Sequence, residues 1–293
     1  MRVMIVVPGP ASVELGKEIA DQLGAQVIPV EFKRFPDGES YIRLDGSVTG
    51  EDAVIVQTTG PPQNENLVQL LLTADAAKDM GTRSITVVVP YFAYARQDSR
   101  FRPGEALSVK TIVTMLKTCG VNRIITVNSH NPAMLKALPI PVEDLSAITL
   151  LARYFKKKGF DKSYSLSMGK KGLPTAVEAS QVLEGKHGFI PTQRDRITGN
   201  VTIEKKPLPV KDRDIIIFDD IISSGGTMMK AVVWVKEQGA KRVYAACVHA
   251  LLIGDSKERI LKSGADGIVA TNTIPSSVSA VSVAPLIVEA LRK

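Results

Sequence analysis

The stretch DIIIFDDIISSGGTMMKAVVWVKEQG, residues 214 to 239, decides the fold class. Its apolar opening, Asp214 to Phe218, is the length of a buried strand and ends in two adjacent acids. A loop of Ser, Gly and Thr follows, and then a helix over Thr227 to Gln238. Met228, Ala231, Val232 and Val235 fall at i, i+3, i+4 and i+7 of that helix, one buried face, with Lys230 and Glu237 outside it. Gly239 stops the helix where a left-handed residue is needed. Strand, tight loop and amphipathic helix in this order predict half of a crossover between parallel strands.

The same alternation runs outward through the chain. Arg2 to Val7, Ala53 to Thr58, Ser84 to Pro90, Arg123 to Asn128, Arg242 to His249 and Gly267 to Thr271 read as further strands. Val13 to Leu23, Glu65 to Met80 and Ser108 to Cys119 read as helices. The order strand, helix, Gly, strand, helix, Gly, strand occurs twice, with Gly81 and Gly120 marking the first copy and Gly239 and Gly264 the second. The first pair is 39 residues apart and the second 25, and the extra 14 fall in FAYARQDSRFRPGEAL, residues 92 to 107. Three arginines, Pro103 and Gly104 make that insertion a cationic loop rather than core. The expectation is an α/β protein of two similar domains, residues 1–146 and 147–293, each a largely parallel sheet flanked by helices.

Length agrees: 293 residues at roughly 150 per domain predict two domains. Apolar residues at 44% and charged residues at 23% exclude a disordered or fibrous chain. The longest apolar stretch, Ile85 to Ala95, contains Pro90 and is about half of a bilayer span, so no membrane partner is expected. Residues 1 to 10 lack the cationic start and unbroken apolar core of a signal peptide, and the expected location is cytoplasmic. Cys119 and Cys247 lack metal-ligand spacing and read as buried small hydrophobes. The net charge of +7 suits either nucleic acid or a polyphosphate metabolite. Scattered charges and 5% aromatics, too few for base-stacking platforms, argue against nucleic acid.

The chemistry concentrates after the strand at 214. Ligands of open α/β sheets sit beyond the carboxyl ends of strands, where this loop is expected. Ser223, Ser224 and Thr227 offer hydroxyls, and Gly225 and Gly226 let backbone N–H groups point inward at a helix N-terminus, a phosphate cradle. Asp219 and Asp220 are suited to accepting hydrogen bonds from sugar hydroxyls or holding a divalent cation. The spacing is not that of a Walker A loop. Residues 214 to 227 resemble the phosphoribosyl-diphosphate (PRPP) binding motif of phosphoribosyltransferases and PRPP synthases. By that resemblance the two acids contact ribose O2 and O3, and Ser223, Ser224, Gly225, Gly226 and Thr227 hold the 5-phosphate. Ser223 stands where synthases usually have a third Asp.

Two further segments resemble the synthases rather than the transferases. RFPDGESYIR, residues 34 to 43, is similar to their adenine-contacting segment, which implies ATP contacts for Phe35, Asp37 and Glu39. Read alone, it is a Pro-Asp-Gly turn. YARQDSRFRPGEALS, residues 94 to 108, is similar to their ATP segment and catalytic loop. The resemblance implies that Arg96 and Gln97 hold ATP while Arg100 and Arg102 close over the triphosphate. Forked cations arriving on a lid suit phosphoryl transfer, because they match phosphate geometry and exclude water. His130, in VNSHNP, stands at the family's metal-binding histidine. The resemblance covers essentially the whole chain. It implies a ribose-phosphate diphosphokinase that uses ATP, ribose 5-phosphate and Mg²⁺ and assembles as a homo-oligomer, a dimer or larger.

Three positions depart from the family pattern. Asn128 replaces an acid two residues before His130, and Gly169, in LSMGKKGL, replaces an acid expected to bind metal. Thr192 replaces the lysine of a catalytic Lys-x-Arg whose arginine persists as Arg194. Lys170 and Lys171 add positive charge beside Gly169. Each loss removes a contact worth about 3 to 4 kcal/mol in a transition state. A non-catalytic relative that binds the same ligands and acts through a partner subunit is therefore the alternative, and a phosphoribosyltransferase the lesser one.

Overall fold

β-branched runs buried on both faces form two separate sheets, each with its own core. The computed structural model describes residues 4–97, 99–100, 102–194, 201–204 and 206–293, with Arg194 described by its backbone. It divides the chain into one unit of Met1–Leu145 with Ser282–Lys293 and a second of Ser146–Val281.

The first unit runs β1 (Met4–Pro8), α1 (Val13–Leu23), β2 (Gln26–Val27), β3 (Val30–Arg34), β4 (Ser40–Leu44), β5 (Asp52–Val56), α2 (Gln63–Asp79), β6 (Ser84–Val89), α3 (Ser108–Thr118), β7 (Arg123–Val127), α4 (Pro132–Leu135) and β8 (Val142–Leu145). Its sheet has the order β2-β1-β5-β6-β7-β8, and every pairing is parallel. Ile5, Val7, Ile55, Val87, Leu116 and Ile124 lie at its core.

The second unit runs α5 (Ile148–Lys157), β9 (Tyr164–Met168), a 3₁₀ turn (Lys170–Gly172), α6 (Leu173–Leu183), β10 (His187–Ile190), β11 (Thr192–Arg194), β12 (Val201–Ile203), β13 (Asp214–Ile222), α7 (Gly226–Glu237), β14 (Arg242–Ala250), α8 (Ser256–Lys262), β15 (Gly267–Thr271) and β16 (Ser279–Val281). Its sheet order is β10-β9-β13-β14-β15-β16, again parallel throughout. The two orders correspond strand for strand. Each unit also inserts an antiparallel ribbon at the same point, β3 with β4 and β11 with β12. The repeat seen in the sequence is thus a repeat of topology.

β13 shows why its sequence suits the centre of this sheet. Ile215 and Ile217 share a core with Met228, Ala231, Val232 and Val235 of α7, the face expected from the helical spacing. On the other face Phe218 meets Phe155 of α5 edge-on, ring centroids 6.3 Å apart. Register is fixed at the strand starts, where Arg242 makes a two-point pair with Asp214 at 2.8 and 2.7 Å and holds that carboxyl below the usual carboxylate range.

Several expectations are corrected. The acids Asp219 and Asp220 lie within β13 rather than beyond its end, because β14 continues far enough to pair Ile221 with His249 and Ile222 with Ala250. Residues 35–39, read as a Pro-Asp-Gly turn, do form the turn of the β3–β4 hairpin. Cys247 is fully buried while Cys119 is half-buried, and both are free thiols. The chain's last stretch, expected with residues 147–293, belongs to the first unit. There α9 (Ala284–Leu291) lies against α1, Arg292 donates to the Gln22 carbonyl at 2.7 Å, Ser282 donates to Glu18 at 2.7 Å, and Arg123 donates to the Ala290 carbonyl at 3.1 Å. An amphipathic terminal helix announces an apolar face, but not which sheet it covers.

Ile287 is fully buried in this contact. Ile287→Ala is expected to cost about 2 to 5 kcal/mol of stability. Amide exchange should then quicken in α1 and β1 and stay unchanged in β13 and β14, as measured by hydrogen–deuterium exchange.

Candidate active site

In both sheets the strand order reverses between the second and third strands, β1 and β5 or β9 and β13. Ligands of open α/β sheets bind at this switch point. The first unit fills its own. Gln57, just past β5, accepts a hydrogen bond from the Ala11 N–H at 3.0 Å, and Ser12 accepts one from the Thr58 N–H at 2.7 Å.

The second unit leaves the equivalent place lined with ligand-binding groups. Asp219 and Asp220 are half-buried at the end of β13, and each accepts a bond from the N–H that follows it, at 3.0 and 2.8 Å. Burial, and then the charge of Asp219, push the neighbouring Cys247 thiol up, so it stays protonated. Gly225 turns the chain with φ 73°, and a Cβ there would press on Ile260 at 3.0 Å and Ser256 at 3.2 Å. Gly226 opens α7 and faces free space, with nothing within 4 Å of where a Cβ would stand. The first N–H groups of α7 have no carbonyl within the helix to bond. Open space, amides without an intrahelical partner and the positive end of a helix suit an anion, with Ser223, Ser224 and Thr227 in the same loop and first turn.

Gly169 lies on the other side of the switch point, just after β9. Its backbone, φ 65° and ψ 167°, belongs to a region essentially reserved for glycine. A Cβ would stand 2.8 Å from Thr192 Oγ1. Two of the three departures from the family pattern thus touch, and a carboxylate at 169 would need both a new backbone conformation and a displaced Thr192. Lys170 and Lys171 follow, both exposed. Arg194 ends β11 opposite Val201, and its side chain is outside the described residues.

The first unit presents its own candidates. Phe35 is 48% exposed at the hairpin tip and edge-on to Tyr41 at 6.1 Å. Asp37 accepts a bond from the Glu39 N–H at 3.2 Å, closing a turn that brings Phe35, Asp37 and Glu39 together. An ion pair from Arg34 to Glu65 ties this hairpin to α2. Arg96 is exposed and Gln97 half-buried, in a turn closed by the Gln97 N–H on the Tyr94 carbonyl at 3.0 Å. Glu105 braces the basic loop: its carbonyl accepts Arg100 Nε at 2.9 Å, and its carboxylate accepts the Arg102 N–H at 3.1 Å. Asp98 and Phe101 are outside the described residues.

His130 is exposed beyond β7. The residue before it, Ser129, is clamped by Asp144 of β8, whose two oxygens accept the Ser129 N–H and Oγ–H, each at 2.9 Å. Burial raises the Asp144 carboxyl above the usual range, although the Ser129 bonds oppose this. No motif marked Asp144 in the sequence, since its partner comes from a neighbouring strand. Among the described residues no group of three or more His, Cys, Asp or Glu is arranged to hold a metal ion. Within the second unit the adjacent carboxylates Asp219 and Asp220, and within the first the exposed imidazole of His130, are each too few to cage a cation alone and suit at most a Mg²⁺ ion that keeps its waters and arrives on substrate phosphates.

The fold defines a two-unit α/β protein of the phosphoribosyltransferase kind, with a candidate anion site in its second unit. A family model for the N-terminal domain of ribose phosphate pyrophosphokinase matches residues 4–120, and one for the phosphoribosyl synthetase-associated domain matches residues 161–293. A ribose-phosphate pyrophosphokinase of Saccharolobus solfataricus is 38% identical over 92% of this chain and 93% of its own. One from Methanopyrus kandleri is 37% identical over 98% of both chains. The crystal structure of phosphoribosylpyrophosphate synthetase from Mycobacterium smegmatis superposes with a TM-score of 0.87 at 29% identity, covering 99% of this chain and 98% of that one. The chain belongs to the ribose-phosphate pyrophosphokinase family.

Gly169→Ala is expected to destabilise the protein by about 1 to 3 kcal/mol in chemical denaturation. Adding Thr192→Ala should recover only the steric part, since the backbone strain at residue 169 remains.

Proposed function

We propose that the protein transfers the β,γ-diphosphoryl group of ATP to O1 of ribose 5-phosphate, giving PRPP and AMP. The observation that carries this reading is the open anion cradle of residues 223–227 beside the paired carboxylates Asp219 and Asp220, at a switch point that the first unit closes. In this reading the cradle holds the 5-phosphate, and the two acids accept the ribose hydroxyls and so orient the sugar. Phe35 stacks on adenine while Asp37 and Glu39 read its edge, and Arg96 and Gln97 hold the nucleotide. O1 attacks the β-phosphorus in line, its proton departs, and the bond to the α-phosphate oxygen breaks to release AMP.

Arg100, Arg102 and Arg194 supply the forked cations for the charge that spreads over the transferring oxygens. Mg²⁺ held by His130 and by the triphosphate would neutralise part of that charge. Thr192 offers no charge, so the exposed Lys170 and Lys171, which follow Gly169 in the turn after β9, act in place of a lysine at 192. The protein works as a homo-oligomer in the cytoplasm, with no nucleic-acid or membrane partner. No helix among the described residues is long and apolar enough to cross a membrane.

A second reading is favoured by the contact of Gly169 with Thr192, which leaves neither an acid nor a base at those positions. It makes the chain a ligand-binding subunit that acts through an active partner.

Purified protein given Mg²⁺, ATP and ribose 5-phosphate should release AMP only when both substrates are present. Saturable ATP binding without AMP would overturn the enzyme reading and leave the second. With activity established, the Lys170→Ala, Lys171→Ala double variant should lose roughly 100-fold in kcat. Parent-like turnover would remove the two lysines from the mechanism.

A further inference from the structure

A loop can turn its N–H groups toward an anion only if its carbonyls find donors on the opposite side, because the two groups of a trans peptide point in opposite directions. In the cradle the first three of those donors come from one stretch, residues 252–259. The carbonyls of Ile222 and Ser223 accept the N–H groups of Leu252 at 3.0 Å and Ile253 at 3.1 Å. The next carbonyl, of Ser224, accepts Nη2 of Arg259 at 2.8 Å. The carbonyl of Gly225 then enters the α7 ladder by accepting the Met229 N–H at 2.8 Å. The first two partners and the last are backbone, which any side chain preserves. The Ser224 carbonyl is held by a side chain, and its peptide carries the Gly225 N–H.

Arg259 is itself braced. Its Nε lies 2.9 Å from a carboxylate oxygen of Asp255 one helical turn earlier, an ion pair without the alignment of a hydrogen bond, and its neighbours on α8, Ser256 and Ile260, are the residues against which Gly225 packs. The residue therefore stands behind the loop, on the side away from the open space at Gly226. A cationic donor on a carbonyl also polarises the peptide and strengthens the N–H at its other end as a donor.

We propose that Arg259 is a positioning residue for the 5-phosphate: by fixing the Ser224 carbonyl it aims the Gly225 N–H into the cradle and makes it a stronger donor. This rests on the reading of residues 223–227 as the phosphate site, and it gives α8 a role in the recognition of the phosphorylated sugar. Arg259 does not touch substrate, and the guanidinium charge reaches it only through the peptide.

The test uses the full chain and follows ribose 5-phosphate binding by titration calorimetry alongside steady-state kinetics. Arg259→Ala should weaken ribose 5-phosphate binding and raise its KM roughly tenfold or more, the effect of losing a charged hydrogen bond. The KM for ATP should stay within about twofold, because the Ser224 carbonyl belongs to the sugar-phosphate loop alone. Arg259→Lys, which keeps a cationic donor, should recover most of the loss, and Asp255→Ala should give a smaller shift in the same direction. An unchanged ribose 5-phosphate affinity in Arg259→Ala, or an equal rise in both KM values, would overturn the proposal. Thr227→Ala keeps the failures apart. If it weakens ribose 5-phosphate binding while Arg259→Ala does not, the site reading stands and the role of Arg259 falls. If neither weakens it, the site reading itself fails.

Discussion

The loop that opens α7 depends on the direction of a few peptide groups at residues 222–226. A sugar phosphate brings a doubly charged group that surface side chains alone would hold poorly, since each exposed ion pair is screened by water. Backbone N–H groups at a helix start do better, because they are already ordered when the anion arrives. The cost is conformational: Gly225 must sit at φ 73° with no room for a side chain. The carbonyls displaced by that turn need partners, and Leu252, Ile253 and Arg259 provide them. A loop that appears local in the sequence is thus held by a segment some thirty residues later, across the connection from β14 to α8.

The duplicated architecture makes the same point by contrast. Both units reverse strand order at the same place, so both have a crevice at their strands' carboxyl ends. In the first, Gln57 and Ser12 satisfy backbone N–H groups that an anion would otherwise meet, and the crevice becomes core. In the second, acids, hydroxyls and glycines occupy the corresponding chain. One topology therefore closes its crevice with its own side chains in one copy and lines it with acids, hydroxyls and glycines in the other. The first unit's candidate groups lie elsewhere, on a hairpin tip and an inserted basic loop, where additions do not disturb the sheet.

How much of this was legible follows from which forces are local. The central strands were legible because burial on both faces demands continuous β-branched runs, and α7 because its buried face repeats at helical spacing. β9 was reached only through the family resemblance. Its sequence, YSLSM, places Ser165 and Ser167 fully inside with hydroxyls that find no hydrogen-bond partner, so it reads as polar although it is core. β8, VEDL, was hidden by its acids. The cradle residues could be named because glycines and hydroxyls next to a strand have a recognisable purpose. Arg259 and Asp144 could not, since each acts on a backbone group brought near only by the fold.

The departures at 169 and 192 gain a physical meaning that neither has alone. A glycine with φ 65° and ψ 167° next to a threonine hydroxyl is a close fit of two small groups. Restoring an acid at 169 would force Thr192 away, and a lysine at 192 would be the bulkier neighbour of a turn that already carries Lys170 and Lys171. The charges on this side of the switch point are therefore set by a steric agreement between β9 and β11. That agreement replaces an acid and a base on two strands with two cations on one turn. Two cations where an acid is expected leave this turn more positive, and neither residue 169 nor residue 192 offers a carboxylate.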